Sequence, residues 1–198
     1  MQDGPRQKLI DHALPLFVEQ GYDAVSVEKL RKAAGVSNGS FFHSFATKAE
    51  LAAALLLACI ADYHAAILCV LSEGPPPAAG VAAMVAAHLS WVDRNRLKAQ
   101  FMLAEARAAW VAEAAQQIGS ENAAFSAAIE TWRGPLVARG TMHAMPGEVF
   151  LAQWIGPANL LCRMWLAGRL PGPLSRFETD LAAAAQRALV ADFTEASP

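Results

Sequence analysis

Charge is scarce in this chain. Lys, Arg, Asp and Glu make up 17% of the 198 residues, against 55% hydrophobic ones, so folding must bury many side chains. The net charge of -2 excludes a globally basic binder of nucleic acid, and any such surface must be local. Cysteine is also rare. Cys59, Cys69 and Cys162 are odd in number and lie in apolar runs, which fits reduced thiols in a cytoplasm better than a disulfide framework. β-branched residues are few, and no stretch alternates apolar with polar at period two, so a sheet is not expected. The opening MQDGPRQKLI has no basic segment leading into an apolar one, and no signal peptide is expected. The most apolar run begins at Leu51 and is stopped by Asp62, about half of the ~20 residues a membrane span needs. A soluble, cytoplasmic protein with no membrane partner is the expectation.

What is abundant is alanine, a strong helix former that lets helices pack closely. An all-α fold of about nine helices follows, divided by turn signals. Pro5 opens a first helix that runs to Gly21, with Leu9, Ile10, Ala13, Leu14 and Phe17 as its inward stripe. Ser26 caps a second that ends before Gly35, Ser37 a short third that ends near Phe45, and Thr47 a long fourth that reaches about Ser72. Gly74 to Pro77 breaks the chain, a fifth helix starts near Ala78, and a sixth near Leu97. Gly119-Ser120 separates the sixth from a seventh, which stops near Gly140. Pro146-Gly147 opens an eighth to Leu170, and Ser175 starts the ninth after Pro171-Gly172-Pro173. The short, tightly connected helices come first and the long ones after. This places a boundary between residues 1–47 and 48–198.

The segment from Ser26 to Phe45 has the pattern of a helix-turn-helix. Val27, Leu30 and Ala34 share one face, Gly35 sits at the sharp turn, and Phe41 and Phe45 are four apart on the inner face of the third helix. Asn38, Gly39, Phe42 and His43 then point outward. The second helix of such a unit presents its first residues to base edges in the major groove. Asn can pair bidentately with adenine, Gly39 lets the backbone come close, and Ser37, Ser40 and nearby amides can hold a phosphate.

Several spaced motifs accompany this unit. They are A-x-x-L-F-x-x-x-G-Y from Ala13 to Tyr22, A-A-G-V-S-x-G from Ala33 to Gly39, F-F-H-S-F from Phe41 to Phe45, and T-K-A-E-L from Thr47 to Leu51. In these motifs the chain resembles the TetR/AcrR family of bacterial transcriptional regulators, over roughly residues 6 to 55. The resemblance implies a three-helix DNA-binding domain at 1–47 and a ligand-sensing, dimerising helical domain at 48–198. It implies DNA contacts at Ser26, Ser37, Asn38, Gly39, Ser40, Phe42, His43 and Lys48, the last gripping a phosphate. The chain departs from the family at Val25, Arg31, Phe42 and Ser44. Phe42 stands where tyrosine is usual and lacks its hydroxyl.

Two catalytic patterns are present by spacing. Gly35 to Gly39 fits G-x-S-x-G and Ser26 to Lys29 fits S-x-x-K. The first needs a strand before it, and here a charged, helix-forming segment precedes it. Asp62, Tyr63 and His64 are adjacent on a helix and diverge, so they do not form a metal site. No enzyme activity, metal or cofactor is expected.

The later helices carry His88, Trp91, Phe101, Met102, Glu105, Trp110, Phe125 and Trp132, with Arg107 nearby. Ordinary core explains bulky residues, and a hydrogen-bonded core position explains His88. A bundle of large aromatics among alanines can also leave a cavity, so these residues are candidates to line a pocket for an apolar or aromatic effector. The eighth helix is apolar nearly all round and needs cover on two sides. Trp154, Leu161 and Trp165, with Phe177 and Leu181 of the ninth helix, are the candidate dimer interface. That helix also resembles its counterpart in several TetR-like regulators, which implies a homodimer on a pseudo-palindromic operator. The reading is a repressor released by its effector. A helical-bundle carrier of small molecules without a DNA role stays open; it would keep the cavity but not the outward Asn38, Gly39 and Lys48.

Overall fold

A computed structural model describes residues 4–105 and 109–191 of the chain. Among the described residues there are nine α-helices and no strand. They are α1 Pro5–Gln20, α2 Val27–Ala33, α3 Asn38–Ser44, α4 Lys48–Cys69, α5 Pro77–Arg94, α6 Arg96–Glu105, α7 Ala115–Ala138, α8 Gly147–Leu166 and α9 Glu178–Leu189. Short 3-10 turns at Ala109–Ala114 and Leu174–Phe177 precede α7 and α9.

Local chemistry sets many of the ends. Ser26 and Ser37 cap α2 and α3 by accepting from the amides of Lys29 and Ser40. Thr47 accepts from the Glu50 amide at 3.0 Å, and the Glu50 carboxylate reaches back to the Ala46 amide at 2.7 Å. This reciprocal arrangement fixes the start of α4. α2 ends in a Schellman turn, with the amide of Gly35 on Lys32 O and that of Val36 on Arg31 O. Gly35 has φ +64° there, a conformation glycine takes without strain.

Two helix ends differ from the sequence reading. Gly119-Ser120 lies inside α7, which begins at Ala115. Both residues are exposed, and an interior glycine costs a helix only about 1 kcal/mol. α8 ends at Leu166, because Gly168 at φ +73° and the amide of Arg169 close a Schellman turn on Trp165 O and Met164 O.

The described residues form two compact units, 4–61 with 96–105 and 109–121, and 62–95 with 122–191. In the first, α1 packs on α2, α3 and α6 around Leu9, Phe17, Leu30, Phe41, Phe45, Leu51 and Phe101. In the second, α5 packs on α8 and α9, with Met84, Leu89, Phe150 and Trp154 fully buried. α4 contributes residues to both units. By length and composition α4 could cross a bilayer. Its buried residues Leu51, Ala52, Leu55 and Cys59 instead form part of the core of the first unit, as in the core helix of a globular protein.

Candidate nucleic-acid interface and effector region

The short α3 is held by its inner face. Phe41 and Phe45 are buried, with 0% and 1% exposure. The opposite face is open: Asn38, Gly39 and His43 are exposed, and Phe42 is 52% exposed. Ser37 Oγ lies 2.9 Å from Ser40 Oγ as well as capping the helix. Ser40 is half-buried, and its carbonyl accepts from Ser44 Oγ at 2.8 Å. Ser26 is exposed beside its cap. The helix start is therefore rigid while the residues beyond it are free to meet a surface.

Lys48 is half-buried and strongly placed. Its ammonium donates to the carbonyls of Tyr22 at 2.8 Å and Val25 at 2.9 Å. It also lies 4.1 Å from the centre of the Tyr22 ring. An ammonium has three N–H groups, and the two carbonyls accept from two of them. Val25, the departure from the family's usual threonine, is fully buried. Three other cations of this region are also engaged. Lys32 pairs with Glu28 at 2.6 Å, and Lys29 donates to Gln20 Oε1. The hydrogen bond and charge of Lys32 hold the exposed Glu28 carboxyl below its ordinary range. Arg6 lies over the Phe45 ring.

The residues expected to line one pocket are split between the two units. Phe101, Met102 and Trp110 pack in the first. His88, Trp91, Phe125 and Trp132 are buried in the second. The side chain of Glu105, and Arg107, lie outside the described residues.

His88 sits in a buried polar chain. Its Nδ1 is 3.0 Å from the Tyr63 hydroxyl and its Nε2 is 3.4 Å from Cys162 Sγ. Burial pushes the His88 pKa down to about 4, the Cys162 thiol up to about 12, and the Tyr63 phenol up as well. All three are therefore neutral at pH 7. Beside them, Trp91 Nε1 donates to Asp62 at 3.0 Å. The His64 ring stacks on Phe125 with centres 4.0 Å apart.

A cleft of about 410 Å³ opens in the second unit, lined by Leu68, Leu71, Ser72, Gly74, Ala128, Thr131 and Trp132. Trp132 is the only residue of the expected pocket set in this lining. Its indole donates to Pro75 O at 2.9 Å.

Sequence reasoning passed over Arg133. This cation is only 5% exposed, pairs with Glu130, donates to Met145 O just before α8, and lies over the Phe150 ring. An arginine among apolar neighbours at the end of an expected helix was the available signal.

On α8 and α9, Trp154 is buried at 2% exposure, whereas Leu161, Trp165, Phe177 and Leu181 are half-buried. The open face of α8 instead shows Val149 at 43% and Leu160 at 61%, with exposed Ala152 and Gly156 between them. A helix apolar all round gives no periodic signal of which side is inward.

The profile of "Bacterial regulatory proteins, tetR family" matches residues 9–55. The chain is 44% identical over 48 residues to the Transposon Tn10 TetC protein of Escherichia coli, covering 24% of each chain. It is 40% identical over 50 residues to the HTH-type transcriptional repressor AcnR of Corynebacterium efficiens, covering 25% of this chain and 27% of that protein. These matches span about a quarter of the length of the curated relatives. Over most of its length the chain is similar in fold to the transcriptional regulator FadR of Bacillus subtilis, solved in complex with stearoyl-CoA. That likeness has a TM-score of 0.77 and 17% identity, and covers 90% of this chain and 96% of the other.

Proposed function

We propose that the chain, whose residues 9–55 match the profile of the tetR family of bacterial regulatory proteins, acts as a cytoplasmic repressor, a homodimer on a pseudo-palindromic operator. The observation that carries this reading is the open face of α3. Asn38, Gly39, Phe42 and His43 are exposed on a helix whose other face is locked by Phe41 and Phe45. In this reading Asn38 pairs with adenine, and Phe42 meets a thymine methyl group. Ser26, Ser37, Ser40 and Lys48 take the phosphate contacts, which position without specifying.

In this reading residues 1–47 bind DNA and 48–198 sense and dimerise. The open α8 face with Val149 and Leu160 meets its two-fold copy. An apolar effector enters the second unit, where Leu68, Leu71, Ala128 and Trp132 line the cleft. Its binding favours a state whose recognition helices no longer match successive major grooves. The change in DNA affinity then equals the effector's differential affinity for the two states.

The test is substitution on the open face. Asn38→Ala is expected to weaken operator binding by about 1–3 kcal/mol and to relax selectivity at one base pair per half-site. Unchanged affinity and selectivity in both Asn38→Ala and Lys48→Ala would favour a small-molecule carrier instead.

A further inference from the structure

Four aromatic rings in the first unit close on one another. Phe17 of α1 stacks on Phe101 of α6, with centres 5.9 Å apart at 13°. Phe101 stacks on Trp110 of the following 3-10 turn at 5.9 Å and 16°. Trp110 packs on Tyr22 at 5.4 Å, and Tyr22 returns to Phe17 at 5.6 Å. The Tyr22 ring also carries the Lys48 ammonium 4.1 Å from its centre, while the Tyr22 carbonyl accepts from that same nitrogen. Trp110 is 5% exposed, and its indole N–H has no hydrogen-bond partner among the described residues. The described contacts that orient it are those with the Phe101 and Tyr22 rings.

We propose that Trp110 is a positioning residue for DNA binding: its indole fixes the Tyr22 ring, and that ring with the Tyr22 and Val25 carbonyls fixes Lys48 for its phosphate. The inference rests on the reading of Lys48 as a phosphate contact and adds the side chain that controls it. Two carbonyls hold the direction of the Lys48 ammonium, and the ring face adds an attraction that depends on ring placement. A shift of the turn Ala109–Ala114 moves Trp110, then Tyr22, then the remaining N–H of Lys48. The turn lies far along the chain from the helix-turn-helix, yet its Trp110 packs on Tyr22, whose ring and carbonyl hold the lysine.

The test is a double-mutant cycle on the full-length protein, read by titration of an operator obtained by selection from random duplexes. Trp110→Ala is expected to lower operator affinity roughly ten-fold. It should also reduce the salt dependence by about two ions per dimer, one for each Lys48. Trp110→Phe keeps a ring in place and should stay within about three-fold of wild type. In a Lys48→Met background, Trp110→Ala should change affinity by less than about two-fold. Trp110→Leu, which retains apolar bulk, serves where the alanine variant fails to fold, and thermal unfolding is recorded for each protein. An equal loss in the Lys48→Met background, or an unchanged salt slope, would overturn the proposal and leave Trp110 as core packing. Wild-type protein that binds no duplex would remove the DNA reading itself.

Discussion

Lowering the pH should weaken this fold through one residue. His88 is 4% exposed, and burial brings its pKa from 6.5 down to about 4. The neutral ring has one N–H and one lone pair. Tyr63 and Cys162, both held protonated by burial, can satisfy them, one donating and the other accepting. A second proton would place a charge against two neutral groups. Between pH 6.5 and about 4 the unfolded chain therefore binds a proton that the folded chain refuses. Stability rises with pH across that window and falls as pH drops through it. At about 1.4 kcal/mol per pH unit, the loss from pH 7 to pH 4 is about 3 kcal/mol. The assay is urea unfolding at several pH values, for wild type and His88→Leu. The variant lacks this site, so its profile should be flatter by about 3 kcal/mol over the window, whatever its absolute stability. Parallel profiles would refute the reasoning, as would a His88 ring signal that titrates near 6.5 in the folded protein.

Two further outcomes follow from packing. A Cβ at Gly80 of α5 would overlap the Trp132 indole, which is buried and tied to Pro75 O. Gly80→Ala is therefore expected to destabilise by about 1–3 kcal/mol despite the better helix propensity of alanine, and a raised urea midpoint would contradict this. Leu160→Arg places a charge on the open face of α8 and is expected to turn a dimeric mass into a monomeric one at micromolar concentration, with folding retained. A dimer unaffected by it, measured by sedimentation, would place the interface elsewhere.

The first unit was legible in the sequence because its ends are written in local chemistry. Ser26, Ser37 and Thr47 cap helices, and Gly35 makes the left-handed turn, where the sequence placed them. The exposure of Asn38, Phe42 and His43 followed from the four-residue spacing of Phe41 and Phe45. The later helices were less legible because their apolar residues carry no address. Phe101 and Trp110 read like pocket aromatics but pack with Phe17 and Tyr22, over eighty residues away. Such pairings are tertiary and leave no periodic trace. Gly119 misled for a different reason: it is exposed within α7, where its cost is small and the rest of the helix outweighs it. For Lys48 the resemblance supplied a phosphate contact, and only the structure shows the two carbonyls and the ring that hold it.

The central claim is that the open face of α3 reads DNA in a two-fold arrangement. The most direct measurement is selection of bound sequences from a random pool of duplexes by the full-length protein, followed by the same selection with Asn38→Ala. The account predicts one enriched inverted repeat whose half-site centres lie about one helical turn, or a multiple of it, apart, with preference at one position per half-site weakened in the variant. No enriched motif, or an identical motif from both proteins, would contradict it.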